Sequence, residues 1–201
     1  MKKSMAGQGV AGALLLAGLM VSAGAMAASG DPVTGGSGTV TINVPIVTST
    51  CSVSMPTEVN FDPTDKSSLT DKSSLIGGLR IVKMKKMNIK LSHCNGKTLL
   101  MNTRGHAVSP SDATYGYFSS GDPDHALMYS IYVPQATEIT DGQSSDGSSS
   151  AYLNNTHPLT IKPNSDGYLI ASSIELLSTG KSVSNLGSAV SGGFDYTFTY
   201  Q

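Results

Sequence analysis

Two cysteines, four histidines and one acidic turn are the residues of this 201-residue chain whose types and spacing could do chemistry. Cys51 and Cys94 are the only cysteines. As thiolates they could hold a metal, but a two-cysteine site needs further ligands at fixed spacing. Only His93, beside Cys94, lies close, so no metal site is expected. His106 and His125 sit among turn residues and read as solvated loop histidines. Asp122-Pro123-Asp124 offers fewer than the six or more oxygens that calcium takes, and turn chemistry explains it. The chain has no G-x-S-x-G elbow, no H-E-x-x-H helix and no glycine-rich phosphate loop. These residues therefore point away from an enzyme and from any cofactor.

The beginning of the chain decides how the cysteines are read. Met1-Lys2-Lys3 is a short positive region, Val10 to Val21 an uncharged apolar run, and Ala25-Met26-Ala27 a small-x-small site. The apolar run falls short of the roughly 20 residues a membrane helix needs. Residues 1–27 are thus expected to be a signal peptide cleaved after Ala27, with cleavage after Ala25 as the alternative. An even cysteine count in an exported chain implies a disulfide. Cys51 and Cys94 are 43 positions apart, and closing that loop stabilises by about 4 kcal/mol.

Charge narrows the partners. Without Lys2 and Lys3, the 13 basic residues fall to 11 against 14 acidic ones, a net charge of −3. A mildly acidic chain argues against nucleic acid. Its one basic cluster, Lys83 to Lys90, alternates with Met and Ile and reads as the wet face of a strand.

The elements that must carry these residues are strands. Ser, Thr, Gly, Val and Tyr abound, apolar residues recur at period two, and turn pairs such as Gly77-Gly78, Asn95-Gly96, Asp141-Gly142 and Asp166-Gly167 punctuate the chain. That spacing predicts an all-β sandwich. Strands are expected at 79–83, 87–91, 127–133 and 168–177, the last with a short break at Ser172-Ser173. Residues 141–150 read as an exposed loop. Residues 64–75 repeat Thr-Asp-Lys-Ser-Ser-Leu in tandem and read as a surface insertion, with a binding loop as the alternative.

Both ends of the chain carry a clean apolar face. After a Gly/Ser-rich stretch at 28–38, expected to be disordered, Val40, Ile42, Val44 and Ile46 alternate with Thr41, Asn43 and Pro45. Pro45 donates no N–H, which suits an edge or bulged position rather than a central strand. At the other end Phe194, Tyr196, Phe198 and Tyr200 alternate with polar residues. A strand with so apolar a face is expected to be buried in the core.

In this order, behind a signal peptide, these features resemble the chaperone–usher pilins of type 1 and P fimbriae. The carriers are the run Gly38 to Val47 leading to Cys51, the Met87-x-Ile89-x-Leu91-x-x-Cys94 strand, Gly187, and the end Tyr196-x-Phe198-x-Tyr200-Gln201. Two positions depart from the family: Val44 stands where many pilins have Gly, and Gly187 is one residue further from the terminus than usual. The resemblance implies an incomplete immunoglobulin-like Greek-key sandwich lacking its last strand. No further strand is expected after Gln201. Residues 51–201 would form the pilin domain and 28–50 an N-terminal extension whose segment at about 39–47 is donated to a neighbour. Val40, Ile42, Val44 and Ile46 would fill a groove beside the strand carrying Phe194, Tyr196, Phe198 and Tyr200. The implied partners are other fimbrial subunits, a periplasmic chaperone, an outer-membrane usher and a possible host receptor, and the implied location is the cell surface. A carbohydrate-binding adhesin or minor tip adaptor is the alternative, with Tyr115, Tyr117 and Phe118 as rings able to stack on sugar.

Overall fold

Alternating and β-branched stretches become strands wherever a neighbouring strand can take up their backbone groups. The computed structural model of the chain describes residues 50–71, 75, 77–144 and 149–201, and the elements below are those of the described residues. They all belong to one unit, Val47–Gln201. Residues 1–27, expected to be a signal peptide, the Gly/Ser-rich stretch and the Val40–Ile46 face lie outside the described residues.

Three antiparallel sheets make up the unit. In the first, β1 (Ser52–Ser54) pairs with β3 (Ile89–Ser92), and β3 with β9 (Gly167–Ile170). The second runs in the order β2 (Arg80–Lys86), β10 (Ser173–Ser178), β6 (Leu127–Tyr132), β5 (Tyr115–Tyr117). The third runs β11 (Phe194–Tyr200), β4 (Leu99–Gly105), β8 (Leu159–Ile161), β7 (Ile139–Thr140). The one helix, α1 (Lys66–Leu69), has four residues.

The sheets share a core. Ile89 and Leu91 of β3, Leu99 and Met101 of β4, Tyr129 and Ile131 of β6, and Leu159 and Ile161 of β8 are buried in one cluster, each at period two along its strand. Each such side chain contributes about 1.5–3 kcal/mol by leaving water. Tyr129 needs a gap to lie flat, and Gly116 supplies it, because a Cβ there would come within 2.2 Å of the ring. The Cys51–Cys94 disulfide is formed and joins the start of β1 to the end of β3, with Cys94 inside the core.

The break expected near Ser172-Ser173 falls at Ala171-Ser172, between β9 and β10. There the Ser172 N–H bonds Ile170 O at 2.9 Å and its hydroxyl donates to Met87 O. The Asp122 turn is built as its chemistry predicts: the buried carboxylate accepts the N–H groups of Ala126 (2.9 Å) and Leu127 (2.8 Å) and so launches β6.

Several expectations need correction. Ser149 and Ser150, read as exposed loop, are buried, because Ser149 O accepts the Val133 N–H and extends the end of β6. The first copy of the duplicated hexapeptide is no mere surface insertion. It forms α1 and buries Leu69 among Leu127, Leu176 and Leu186, while Ser178 Oγ donates to Leu69 O. His125 is not simply solvated: its ring stacks on Tyr117 at 3.9 Å, and its buried Nδ1 lacks a hydrogen-bond partner. The largest difference concerns the C-terminal aromatics. None of β11 is buried; Phe194 and Phe198 are half-buried against the core, Tyr196 is 41% and Tyr200 58% exposed.

Candidate functional site

The exposure of β11 has a geometric cause. It pairs with β4 along its whole length, from Phe194 opposite Gly105 to Tyr200 opposite Leu99, and with no other strand among the described residues. His106 N–H bonds Gly193 O at 2.9 Å and Gln201 N–H bonds Thr98 O at 3.0 Å. Those two bonds set the parity of the ladder. In an antiparallel pair, every second residue turns its N–H and C=O toward the partner. The odd-numbered residues of β11 therefore bond to β4. The N–H and C=O groups of Phe194, Tyr196, Phe198 and Tyr200 point to the open edge. Their side chains share the inward face, as the packing of Phe194 and Phe198 on the core shows.

Beside this edge lies a cleft of about 870 Å³. One wall is the segment 55–64, which follows β1 and forms no strand. The other is the stretch 186–193 leading into β11, together with Phe194 and Tyr196. The floor is the inner face of the second sheet, Leu127, Tyr129, Ile174 and Leu176, with Met87 and Phe118. Phe118 meets Tyr129 edge-on at 5.8 Å. The cleft is apolar at its base and bounded on one side by a backbone edge that no strand among the described residues pairs, so it suits an extended, apolar-faced peptide better than a small polar molecule.

The walls are fixed by specific bonds. Lys83 Nζ donates to Asp62 O (2.9 Å) and Pro63 O (2.6 Å), which ties the first wall to β2. Lys66 Nζ donates to Leu186 O, which links the two walls at one end. Tyr129 Oη donates to Gly193 O at 2.7 Å from below, and burial of the ring pushes its phenol up from 10.0 to about 12. At the other end Cys51 N–H donates to Tyr200 Oη at 3.1 Å, so the start of the domain is held at the end of β11. Gly187, singled out in the sequence, lies in the second wall, where its N–H bonds Gly121 O at 2.8 Å.

Of the predicted site residues, the structure brings Phe194 and Tyr196 to the cleft and extends the same edge through Phe198 and Tyr200. Val40, Ile42, Val44 and Ile46 lie outside the described residues. The first wall and, apart from Gly187, the Leu186–Gly193 wall were missed. Neither alternates; Pro56, Pro63, Gly187, Gly192 and Gly193 interrupt them, and only their position around the cleft in the fold marks them. The rings suggested for sugar are all part-buried; Tyr117 is covered by His125 and Phe118 is turned toward Tyr129. His106 Nε2 lies 3.4 Å from Asp195 on the outer side of β11, a solvent-exposed pair. No group of three or more His, Cys, Asp or Glu suited to a metal occurs among the described residues.

No protein-family model matches the chain, and no curated protein matches it in sequence. Solved structures do. A structure of a chaperone–usher pilus, concerned with rod uncoiling, matches with a TM-score of 0.53 at 15% identity, covering 84% of this chain and 98% of the other. The P pilus rod subunit PapA matches with a TM-score of 0.51 at 13% identity, covering 75% of this chain and 99% of its own. The chain has the fold of chaperone–usher pilus rod subunits: nearly all β, with one disulfide.

Proposed function

We propose that this chain is a structural subunit of a surface fimbria, polymerising when residues 39–47 of one copy enter the cleft of the next. The observation that carries this reading is β11: an aromatic strand, paired on one side, whose open edge borders an apolar cleft. Left open, such an edge is an aggregation hazard. An inserted strand would satisfy the backbone groups of Phe194, Tyr196, Phe198 and Tyr200 and roof the cleft floor.

The sequence contains a segment of the right kind. Val40, Ile42, Val44 and Ile46 form one face, and burying the four would contribute roughly 6–12 kcal/mol before the cost of ordering. Because donor and acceptor are different surfaces, the contact is head-to-tail and does not close on itself, so it propagates into a fibre. The pilus-rod fold supports the same role, and with it a fimbrial location. The signal peptide expected at residues 1–27 would direct export, with a periplasmic chaperone holding the open edge and an outer-membrane usher delivering subunits.

Ile42→Asp places a charge on the inserted face. Electron microscopy of cells expressing that variant should show no fibres while subunit still accumulates with its chaperone. Normal fibres from the variant would overturn the reading.

A further inference from the structure

We infer that Pro45 steers the donated segment into a second copy of the chain and away from the cleft of its own subunit. The inference rests on the donor-strand reading above and goes beyond it in naming what sets the choice between the two acceptors.

Reach comes first. Cys51 N–H is bonded to Tyr200 Oη, so the polypeptide enters its own domain at the C-terminal end of β11. Only Val47 to Thr50 separate Ile46 from Cys51. Those five steps span about 18 Å at full extension. The way back along β11 from Tyr200 to Phe194 is about 20 Å, before any allowance for reversing direction. Within one subunit, the segment cannot lie antiparallel to β11 and still fill the cleft beside Phe194. It can enter only parallel to β11, with Ile46 near Tyr200. A segment arriving from another copy has no such tether and can run antiparallel.

Parity comes second. The open edge of β11 is formed by its even residues, whose side chains face inward. In an antiparallel pair, residues directly opposite share a face and exchange both hydrogen bonds. With the apolar face inward, Val40, Ile42, Val44 and Ile46 would supply those bonds, and none of them lacks an N–H. The missing N–H of Pro45 then points to the 55–64 wall, which forms no strand and itself carries Pro56 and Pro63. In a parallel pair, bonds come instead from the residues flanking the opposite one. The donors to β11 would be Thr41, Asn43 and Pro45, and Pro45 leaves one β11 carbonyl without its hydrogen bond. That loss disfavours self-insertion by about tenfold and leaves insertion into a second copy untouched.

The test is a parity swap in the mature chain, residues 28–201, with its disulfide intact. Each variant is refolded at one fixed concentration. Closed monomer and polymer are separated by size-exclusion chromatography with light scattering, and amide exchange of Phe194, Tyr196, Phe198 and Tyr200 identifies closed monomer by its protection. Pro45→Thr should raise the ratio of closed monomer to polymer about tenfold. Asn43→Pro combined with Pro45→Thr moves the proline to another odd position and should restore the native ratio. A ratio within twofold of native for Pro45→Thr would overturn the inference, as would failure of the double variant to restore it. Polymer that persists in Ile42→Asp would instead overturn the donor-strand reading, and the inference with it.

Discussion

β10 and β11 are opposite cases. β10 reads Ser-Ile-Glu-Leu-Leu-Ser, half of it polar, and all six of its residues are buried. β11 reads Phe-Asp-Tyr-Thr-Phe-Thr-Tyr, with four aromatics, and none of its residues is buried. β10 lies between β2 and β6, so both of its edges are paired, and Glu175 is accommodated by the Ser130 hydroxyl at 2.8 Å. β11 has β4 on one side and the cleft on the other. Burial here follows a strand's place in the sheet more than its composition. The most aromatic strand stands at a sheet edge beside the cleft, with one strand paired to it among the described residues.

Three substitutions probe that contrast, from the largest expected effect to the smallest. The disulfide closes β1 onto β3 next to the end of β11 and constrains the unfolded chain as a whole. Replacing Cys51 and Cys94 together by Ser should cost about 4 kcal/mol in urea unfolding and sharply reduce subunit yield. Next, Ile174→Ala on β10 should cost roughly 2–5 kcal/mol, since Ile174 is buried in the main cluster. Tyr196→Ala on β11 should cost under about 1 kcal/mol in the free subunit, yet weaken the assembled polymer measurably. Equal losses at the two sites in the free subunit would remove the contrast.

A last effect, confined to alkaline solution, is a pH dependence under the cleft. Below pH 10 the folded and unfolded chains both keep the Tyr129 proton, and the contribution is fully present. As pH rises from 10 toward 12 the unfolded chain releases that proton first, so folded-state stability falls. Tyr129→Phe should flatten the alkaline limb of a stability–pH curve by the Tyr129 share. It should also lower stability slightly at neutral pH, through the lost bond to Gly193 O.

Much of the fold was legible because apolar runs and alternation leave a mark in composition. Leu127–Tyr132 and the strands around Ala171-Ser172 are rich in apolar residues, and the C-terminal strand alternates aromatic with polar ones. β4 was missed because Thr103 and Gly105 occupy two of its inward positions and Leu100 faces away from the core side, which blurs the alternation. β8, with three residues, is too short to show a period. The candidate site was half legible. The aromatic edge could be named residue by residue, but its exposure could not, because exposure depends on a strand that is not beside it. The walls come from proline- and glycine-broken segments that only the tertiary fold brings together around the cleft.

The central claim is that the outer edge of β11 is an open acceptor for the chain's own N-terminal segment from another copy. It is tested most directly by amide hydrogen exchange of residues 51–201, with and without a synthetic peptide of residues 38–47. Without peptide, the amides of Asp195, Thr197 and Thr199 should exchange slowly and those of Phe194, Tyr196, Phe198 and Tyr200 fast. With peptide, the second set should become protected. Even-numbered amides that are already slow alone, or that stay fast at saturating peptide, would contradict it.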